Sequence, residues 1–289
     1  MLRFLRFFVA MILICSLAAC NRDKASIIPS VNINKKSAEM GTPIEVTYSF
    51  STKSNYVALS KEMTVFVHFI DPRGNRRFQD DHVPPKPISE WRPDGNYNYT
   101  RTVFVPKNIP AGEYSVVAGI YSPRKEERIV LQAKPYGNRS YEMGILLIEI
   151  PPQGPVAQYT SGWYALESEP NDVGTSWRWM KKEAVLKCRN PKNDALLYLK
   201  VDGVPERFSE PQKLTVAVDG HEIETFALTS NQPVSKKYDV SRSMLGNENM
   251  VEVKLAVDQS FIPANDKVSR DTRELGIRVY QLYLGKASD

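Results

Sequence analysis

The sequence is poor in histidine and cysteine and carries no familiar catalytic signature. Only His68, His82 and His221 are present among 289 residues. His68, Asp81 and His82 are the one grouping that suggests a metal, since imidazole with carboxylate suits zinc. His68, however, shares a strand face with Phe66 and Ile70, and a hydrogen-bonded His–Asp pair across a hairpin is the commoner use of such residues. No metal or other cofactor is expected. A nucleophile elbow, a Ser–His–Asp order, a P-loop and a dinucleotide fingerprint are all missing. Scattered carboxylates do not define a glycosidase dyad, so the chain reads as non-catalytic. Its net charge of +5 is not gathered into a stripe. Arg76-Arg77 precede Asp80-Asp81, and Lys181-Lys182 precede Glu183. Nucleic-acid readers concentrate basic charge, and no nucleic-acid partner is expected. No segment shows a helical 3.6-residue repeat.

What is present begins with the first twenty residues. Arg3 and Arg6 precede an apolar run from Phe7 through Ile14 to Leu17, closed by the small residues Ser16, Ala18 and Ala19. This is the layout of a secretory signal, and at roughly eleven residues the run is too short to cross a bilayer as a helix. Leu17-Ala18-Ala19-Cys20 resembles the lipobox of bacterial lipoproteins. The resemblance implies cleavage before Cys20 and acylation of that cysteine, which would fix the protein to a membrane. Residues 1–19 are then the signal peptide and 20–30 a lipidated tether. Asn21, where an Asp would retain an enteric lipoprotein at the inner membrane, implies the outer membrane. An ordinary secretory signal is the alternative. Cys15 leaves with the signal, so Cys188 remains as the one thiol of the folded part and no intramolecular disulfide forms. Strand alternation places Ala184, Leu186 and Cys188 on one face, which predicts a buried, inert thiol.

From Val31 to Ile150 apolar residues alternate with a period of two, as in Ile44, Val46 and Tyr48 or Val65, Val67 and Phe69. Turns fall at Pro72-Arg73-Gly74-Asn75, Pro93-Asp94-Gly95-Asn96 and Pro110-Ala111-Gly112. Short strands with regular turns predict an immunoglobulin-like β-sandwich over residues 31–150. Pro110-Ala111-Gly112-Glu113-Tyr114, leading into Ser115 to Tyr121, resembles the late-strand hairpin of bacterial immunoglobulin-like and fibronectin-like modules. Val67 to Asp71, through Asp80-Asp81-His82 to Trp91, resembles modules beside bacterial glycan-processing and exopolysaccharide proteins. Pro151, Pro152 and Pro155 mark a spacer over 151–160.

A second strand-rich region covers 161–286. Asp202-Gly203 and Asp219-Gly220 are read as favoured hairpin turns, and the economical fold is a jelly-roll-like sandwich. The fold class is thus all-β, two tandem antiparallel sandwiches. Gly162 to Glu167, Trp177 to Met180 and Asp271 to Ile277 look like the β-sandwich domain of bacterial cell-envelope glycosyltransferases and polysaccharide-locus proteins. That resemblance implies a glycan-associated accessory module without catalysis of its own.

Trp177 and Trp179 share a strand face, with Arg178 opposite. Paired tryptophans either supply flat surface for the apolar faces of sugars or pack a sandwich core, and core packing is the commoner use. Glu167, Arg178, Asp271 and Arg273 come together if the first and last strands pair. Arg273 then either clamps a carboxylate or meets a sugar hydroxyl or acidic sugar. Trp177, Trp179 and Arg273 are the candidate ligand-binding residues and Cys20 is the lipid-attachment site. The function expected is that of an envelope lipoprotein that binds a surface polysaccharide or supports its assembly. The alternative is a scaffold lipoprotein that offers an unpaired strand edge to proteins of an envelope assembly or secretion system.

Overall fold

The computed structural model describes residues 25–59, 62–125, 127–151, 157–169, 172–266 and 269–286. The signal segment, Cys20 and Pro152 to Pro155 lie outside the described residues. The chain divides into two compact units, one through Glu149 and one from Ile150. Both are built of strands, and among the described residues there is no α-helix.

The first unit contains β1 (Ile27–Ile33), β2 (Ser37–Glu39), β3 (Pro43–Thr52), β4 (Thr64–Ile70) and β5 (Arg76–Gln79). It continues with β6 (Asn96–Phe104), β7 (Gly112–Ser122), β8 (Glu127–Arg128), β9 (Pro135–Gly137) and β10 (Ser140–Glu149). One sheet has the order β1-β3-β6 and the other β2-β10-β7-β4-β5. Every pairing is antiparallel except β2 on β10. Alternation along β3 sends Ile44, Val46, Tyr48 and Phe50 inward, where they belong to the same buried cluster as Val65, Val67, Phe69, Val116 and Ile120. Trp91 is fully buried and its Nε1 donates to the Lys86 carbonyl at 3.0 Å. The Tyr114 hydroxyl donates to the Pro110 carbonyl at 2.8 Å. This is the tyrosine corner of immunoglobulin-like sandwiches, and it fixes the turn that the sequence placed before β7. The tether expected through residue 30 is shorter than read, because β1 already begins at Ile27 and pairs with β3. Pro29 hid that strand. It is tolerated because β1 is an edge.

The second unit comprises β11 (Ala157–Glu169), β12 (Asp172–Arg189), β13 (Ala195–Asp202) and β14 (Lys213–Val218). β15 (His221–Ala227), β16 (Val234–Val240), β17 (Met250–Val257) and β18 (Arg278–Lys286) complete it. The spacer expected over 151–160 gives way to β11 at Ala157. β12 runs unbroken from Asp172 to Arg189. The early part of β12 pairs with β18 and its later part with β17. A single antiparallel sheet of order β15-β14-β17-β12-β18-β13-β16, with β11 on β12, therefore turns over on itself. It encloses Met180, Leu186, Leu197, Leu199, Val216, Leu255 and Leu284. Its two edge strands are tied by Glu224, which accepts from Lys236 Nζ at 3.0 Å and from the Tyr238 hydroxyl at 2.7 Å.

β11 follows β12 around the bend through a series of bulges, and Gly162 (φ 77°) makes this possible. A Cβ there would lie 1.9 Å from the Glu183 carbonyl oxygen. Asp219 and Gly220 both have positive φ and form the tight β14–β15 turn. Asp202-Gly203 does not form a hairpin turn, since neither residue has positive φ. Asp202 ends β13 with a buried carboxylate, and the chain passes into a single 3-10 turn at Pro205–Arg207.

Candidate functional site

The outward face of β12, β18 and β13 carries the site. Along β13, Ala195, Leu197, Leu199 and Val201 join the core, so Tyr198, Lys200 and Asp202 point away from it. On β18, Val279 is a core residue and Arg278 and Tyr280 face outward. Arg278 is the register partner of both Trp179 on β12 and Asp202 on β13. Three strands thus set Trp179, Arg278 and Asp202 in one row. A bulge at Lys200/Val201 leaves Tyr280 without a register partner, and such bulges re-aim a side chain. Here the Tyr280 ring is brought to the same patch.

Arg278 Nε donates to Asp202 Oδ1 at 2.9 Å and Nη2 donates to Oδ2 at 2.6 Å. The Tyr280 hydroxyl donates to the same Oδ2 at 2.7 Å. The guanidinium carbon lies 5.3 Å from the Trp177 ring centre and 5.8 Å from those of Trp179 and Tyr280, within cation–π range. Phe261 meets Trp179 edge-on at 6.1 Å and lies beneath Arg207 at 4.4 Å. The Asp202 side chain is 1% exposed and that of Arg278 26%. Burial pushes the Asp202 carboxyl above the usual carboxylate range, against the hydrogen bonds from Arg278 and Tyr280. Burial also raises the Tyr280 hydroxyl, and its bond to Asp202 adds to the shift. The arrangement offers half-exposed aromatic surface around a fixed, planar donor.

Trp177 and Trp179 are therefore not core residues. Both are half-buried and outside the buried cluster, which corrects the commoner reading of such a pair. Nε1 of Trp177 is shielded from solvent and has no hydrogen-bond partner among the described residues. An orphaned donor of this kind costs on the order of 1–3 kcal/mol. Arg273 is placed elsewhere. It grips Asp271 through Nε at 3.0 Å and Nη2 at 2.8 Å, and Glu167 through Nη1 at 2.7 Å. Its hydrogen bonds to both carboxylates raise its pKa, and it covers the Tyr164 ring at 5.1 Å. Three residues of the expected charged cluster meet there, with Arg273 as a clamp. Arg178 does not join them, and instead donates to the Tyr164 carbonyl at 2.9 Å and covers Tyr159. Cys188 is buried in the core beside Ala184 and Leu186. Arg278, Asp202 and Tyr280 were not identified from sequence.

In the first unit, His68 Nε2 lies 3.4 Å from Asp81 Oδ1, while His82 turns the other way. His82 Nδ1 is 2.8 Å from the Asp80 carbonyl oxygen, which can only accept, so Nδ1 carries the proton. Nε2 lies 2.8 Å from the Tyr99 hydroxyl. Asp80 also accepts from Tyr48 at 2.7 Å and from Arg101 Nε and Nη2 at 2.8 and 2.9 Å. Among the described residues no three His, Cys, Asp or Glu side chains are grouped to hold a metal ion. Burial works against ionisation of Asp80, but His82 and Arg101 outweigh it and hold the carboxyl well below its usual range. This network joins β3, β6 and the segment after β5, and has the geometry of a structural lock.

No protein-family model matches the chain, and no curated protein does. Among solved structures, the chain is similar to a family 35 carbohydrate-binding module from an environmental isolate. The identity is 10%, with 46% of this chain and 98% of that one covered and a TM-score of 0.27. It is similar to a Niemann-Pick type C2 protein from the Japanese carpenter ant at 15% identity, covering 44% and 98%, with a TM-score of 0.26. It is also similar to a secreted serine protease from Vibrio cholerae at 11% identity, covering 90% and 52%, with a TM-score of 0.24. Likenesses this distant, to proteins this diverse, carry no argument about function.

Proposed function

We propose that the outward face of β12, β18 and β13 binds a glycan, and that the protein holds a surface polysaccharide, or supports its assembly, from a membrane to which Cys20 anchors it. One observation carries the glycan part. Trp177, Trp179 and Tyr280 ring a fixed guanidinium, and aromatic rings left only partly buried are surface for the apolar faces of sugars. The carboxylate at the centre of this face, Asp202, is spent on Arg278 and Tyr280, and no nucleophile is grouped with it among the described residues. The reading is therefore non-catalytic. The anchor rests on the sequence from Arg3 to Cys20. The test is binding of protein lacking residues 1–20 to envelope polysaccharide from the producing cell, with Trp179→Ala run beside it. Binding by wild type that Trp179→Ala loses, while it still unfolds cooperatively with only a modest drop in melting temperature, supports the reading. Absence of binding by wild type removes it.

A second reading, a scaffold for an extended protein segment, is favoured by the free edge of β1. The Ile27 carbonyl accepts from Gln132 on the side away from β3, which puts the outward backbone groups on the odd residues. Val31 and Ile33 therefore present theirs to a groove of about 200 Å³, lined also by Lys35, Lys36, Met143 and Ile145. Strand addition there would be abolished by Val31→Pro. A partner retained by that variant excludes the edge as its docking site.

A further inference from the structure

The polar groups of the ring-lined patch are unequally committed. Asp202 is shut off from solvent and has both oxygens occupied. The Tyr280 hydroxyl spends its proton on Asp202. A guanidinium carries five N–H donors in a rigid fork, and Arg278 uses two of them, one on Nε and one on Nη2, along a single edge. The other edge, spanning Nη1 and the second hydrogen of Nη2, has no hydrogen-bond partner among the described residues, although the Glu169 charge acts on the guanidinium, and the side chain keeps 26% of its exposure. The plane cannot turn to seek other partners, because Asp202 grips it from the side and three rings surround it.

We infer that Arg278 is the specificity-determining residue of this face: its free edge donates to two adjacent oxygens of a sugar lying against Trp177 and Trp179, with Asp202 as the residue that positions it. The inference rests on the glycan reading above. Two parallel N–H groups match two oxygens a short distance apart, so the ligand feature is a carboxylate or a vicinal diol. Lysine cannot replace the fork, since an ammonium is a point charge without a bidentate edge. A clamp with no ligand role would hold β18 to β13 and make no distinction between sugars.

The probe is envelope polysaccharide from the producing cell in three forms: untreated, carboxyl-reduced and periodate-oxidised. Reduction removes carboxylates and oxidation cleaves vicinal diols. Wild type is expected to bind the untreated form and to lose about tenfold or more on one treated form, as befits a pair of charge-assisted hydrogen bonds. The form that loses identifies the oxygen pair. Arg278→Lys is expected to bind all three forms weakly and alike, and Asp202→Asn to narrow the ratio between forms. If Arg278→Lys unfolds, Tyr280→Phe, which keeps ring and guanidinium but frees one Asp202 contact, should narrow the ratio by a smaller factor. A folded Arg278→Lys that discriminates as wild type does overturns the inference and spares the glycan reading. Wild type that binds all three forms equally does the same. Wild type that binds none removes both.

Discussion

Asp202 and Arg278 stand 76 residues apart in the chain and face each other across β13 and β18, joined by two hydrogen bonds of 2.9 and 2.6 Å. Removing one partner of a pair so deeply set leaves the other charge uncompensated, at a cost on the order of 3 kcal/mol. Arg278→Leu should show this at neutral pH. Asp202, already raised by burial, loses its main countering partner in that variant and moves higher. A carboxyl whose folded pKa lies above its unfolded value binds its proton more readily when folded, so stability rises as pH falls through the folded pKa. Melting temperatures of Arg278→Leu should therefore recover towards wild type on going from pH 7 to about pH 5. A deficit that is constant across that range would place the loss in packing alone.

The first unit should respond in the opposite sense. Asp80 is held low by His82 and Arg101 against its burial. Asp71 is brought down to about 2, where burial is outweighed by hydrogen bonds from the Asn75 backbone and Arg77. Both folded pKa values lie below the unfolded ones, so their contribution is complete above about pH 5 and is lost as pH falls towards the folded values. Calorimetry between pH 5 and pH 2 should show the transition of the first unit falling, and Asp80→Asn should flatten that fall.

Trp177 and Trp179 should tolerate change better than the core. Leu255 is fully buried, and Leu255→Ala should cost about 2–5 kcal/mol. Trp179→Ala, half-exposed, should cost about 1–2 kcal/mol. Trp177→Phe removes an orphaned N–H while keeping a ring, and chemical denaturation should find it within about 0.5 kcal/mol of wild type or above it. A loss as large as that of Leu255→Ala would mean that Nε1 has a partner in solution.

Anchoring is checked through Cys20. Several acyl chains hold a protein stably, since each buried methylene contributes about 0.8 kcal/mol, whereas one chain is marginal. Wild type should incorporate labelled palmitate and enter the detergent phase. Cys20→Ser should do neither. Unlabelled wild type in the soluble fraction would assign the first twenty residues to an ordinary secretory signal.

The inward faces were legible because alternation leaves a direct mark. Ile44, Val46 and Tyr48, then Val65, Val67 and Phe69, then Ala184, Leu186 and Cys188 all lie where period two puts them. Two edge strands were not. β1 carries Pro29, and β16 carries Lys236 and Lys237, so composition disguises both. The candidate site was half legible. Two tryptophans on one face announce either a core or a surface, and the choice depends on which face of β12 meets β17 and β18. Arg278 and Asp202 gave no local signal, because their meeting is set by the register of β13 on β18. A rule that makes Asp-Gly a turn is sound where φ turns positive, as at Asp219. At Asp202 the carboxylate had a half-buried arginine to meet instead.

β18 follows every other described strand in sequence, yet it lies inside the sheet, between β12 and β13. During synthesis β12 and β13 must wait, each with an open edge, until Arg278 to Lys286 emerge. The first unit, with all its strands made by Glu149, is free to fold long before that. β18 both closes the second unit and delivers Arg278 and Tyr280. A chain cut short before it would keep its tryptophans and lose the sheet that presents them. Completion of the fold and acquisition of the ligand face are the same event.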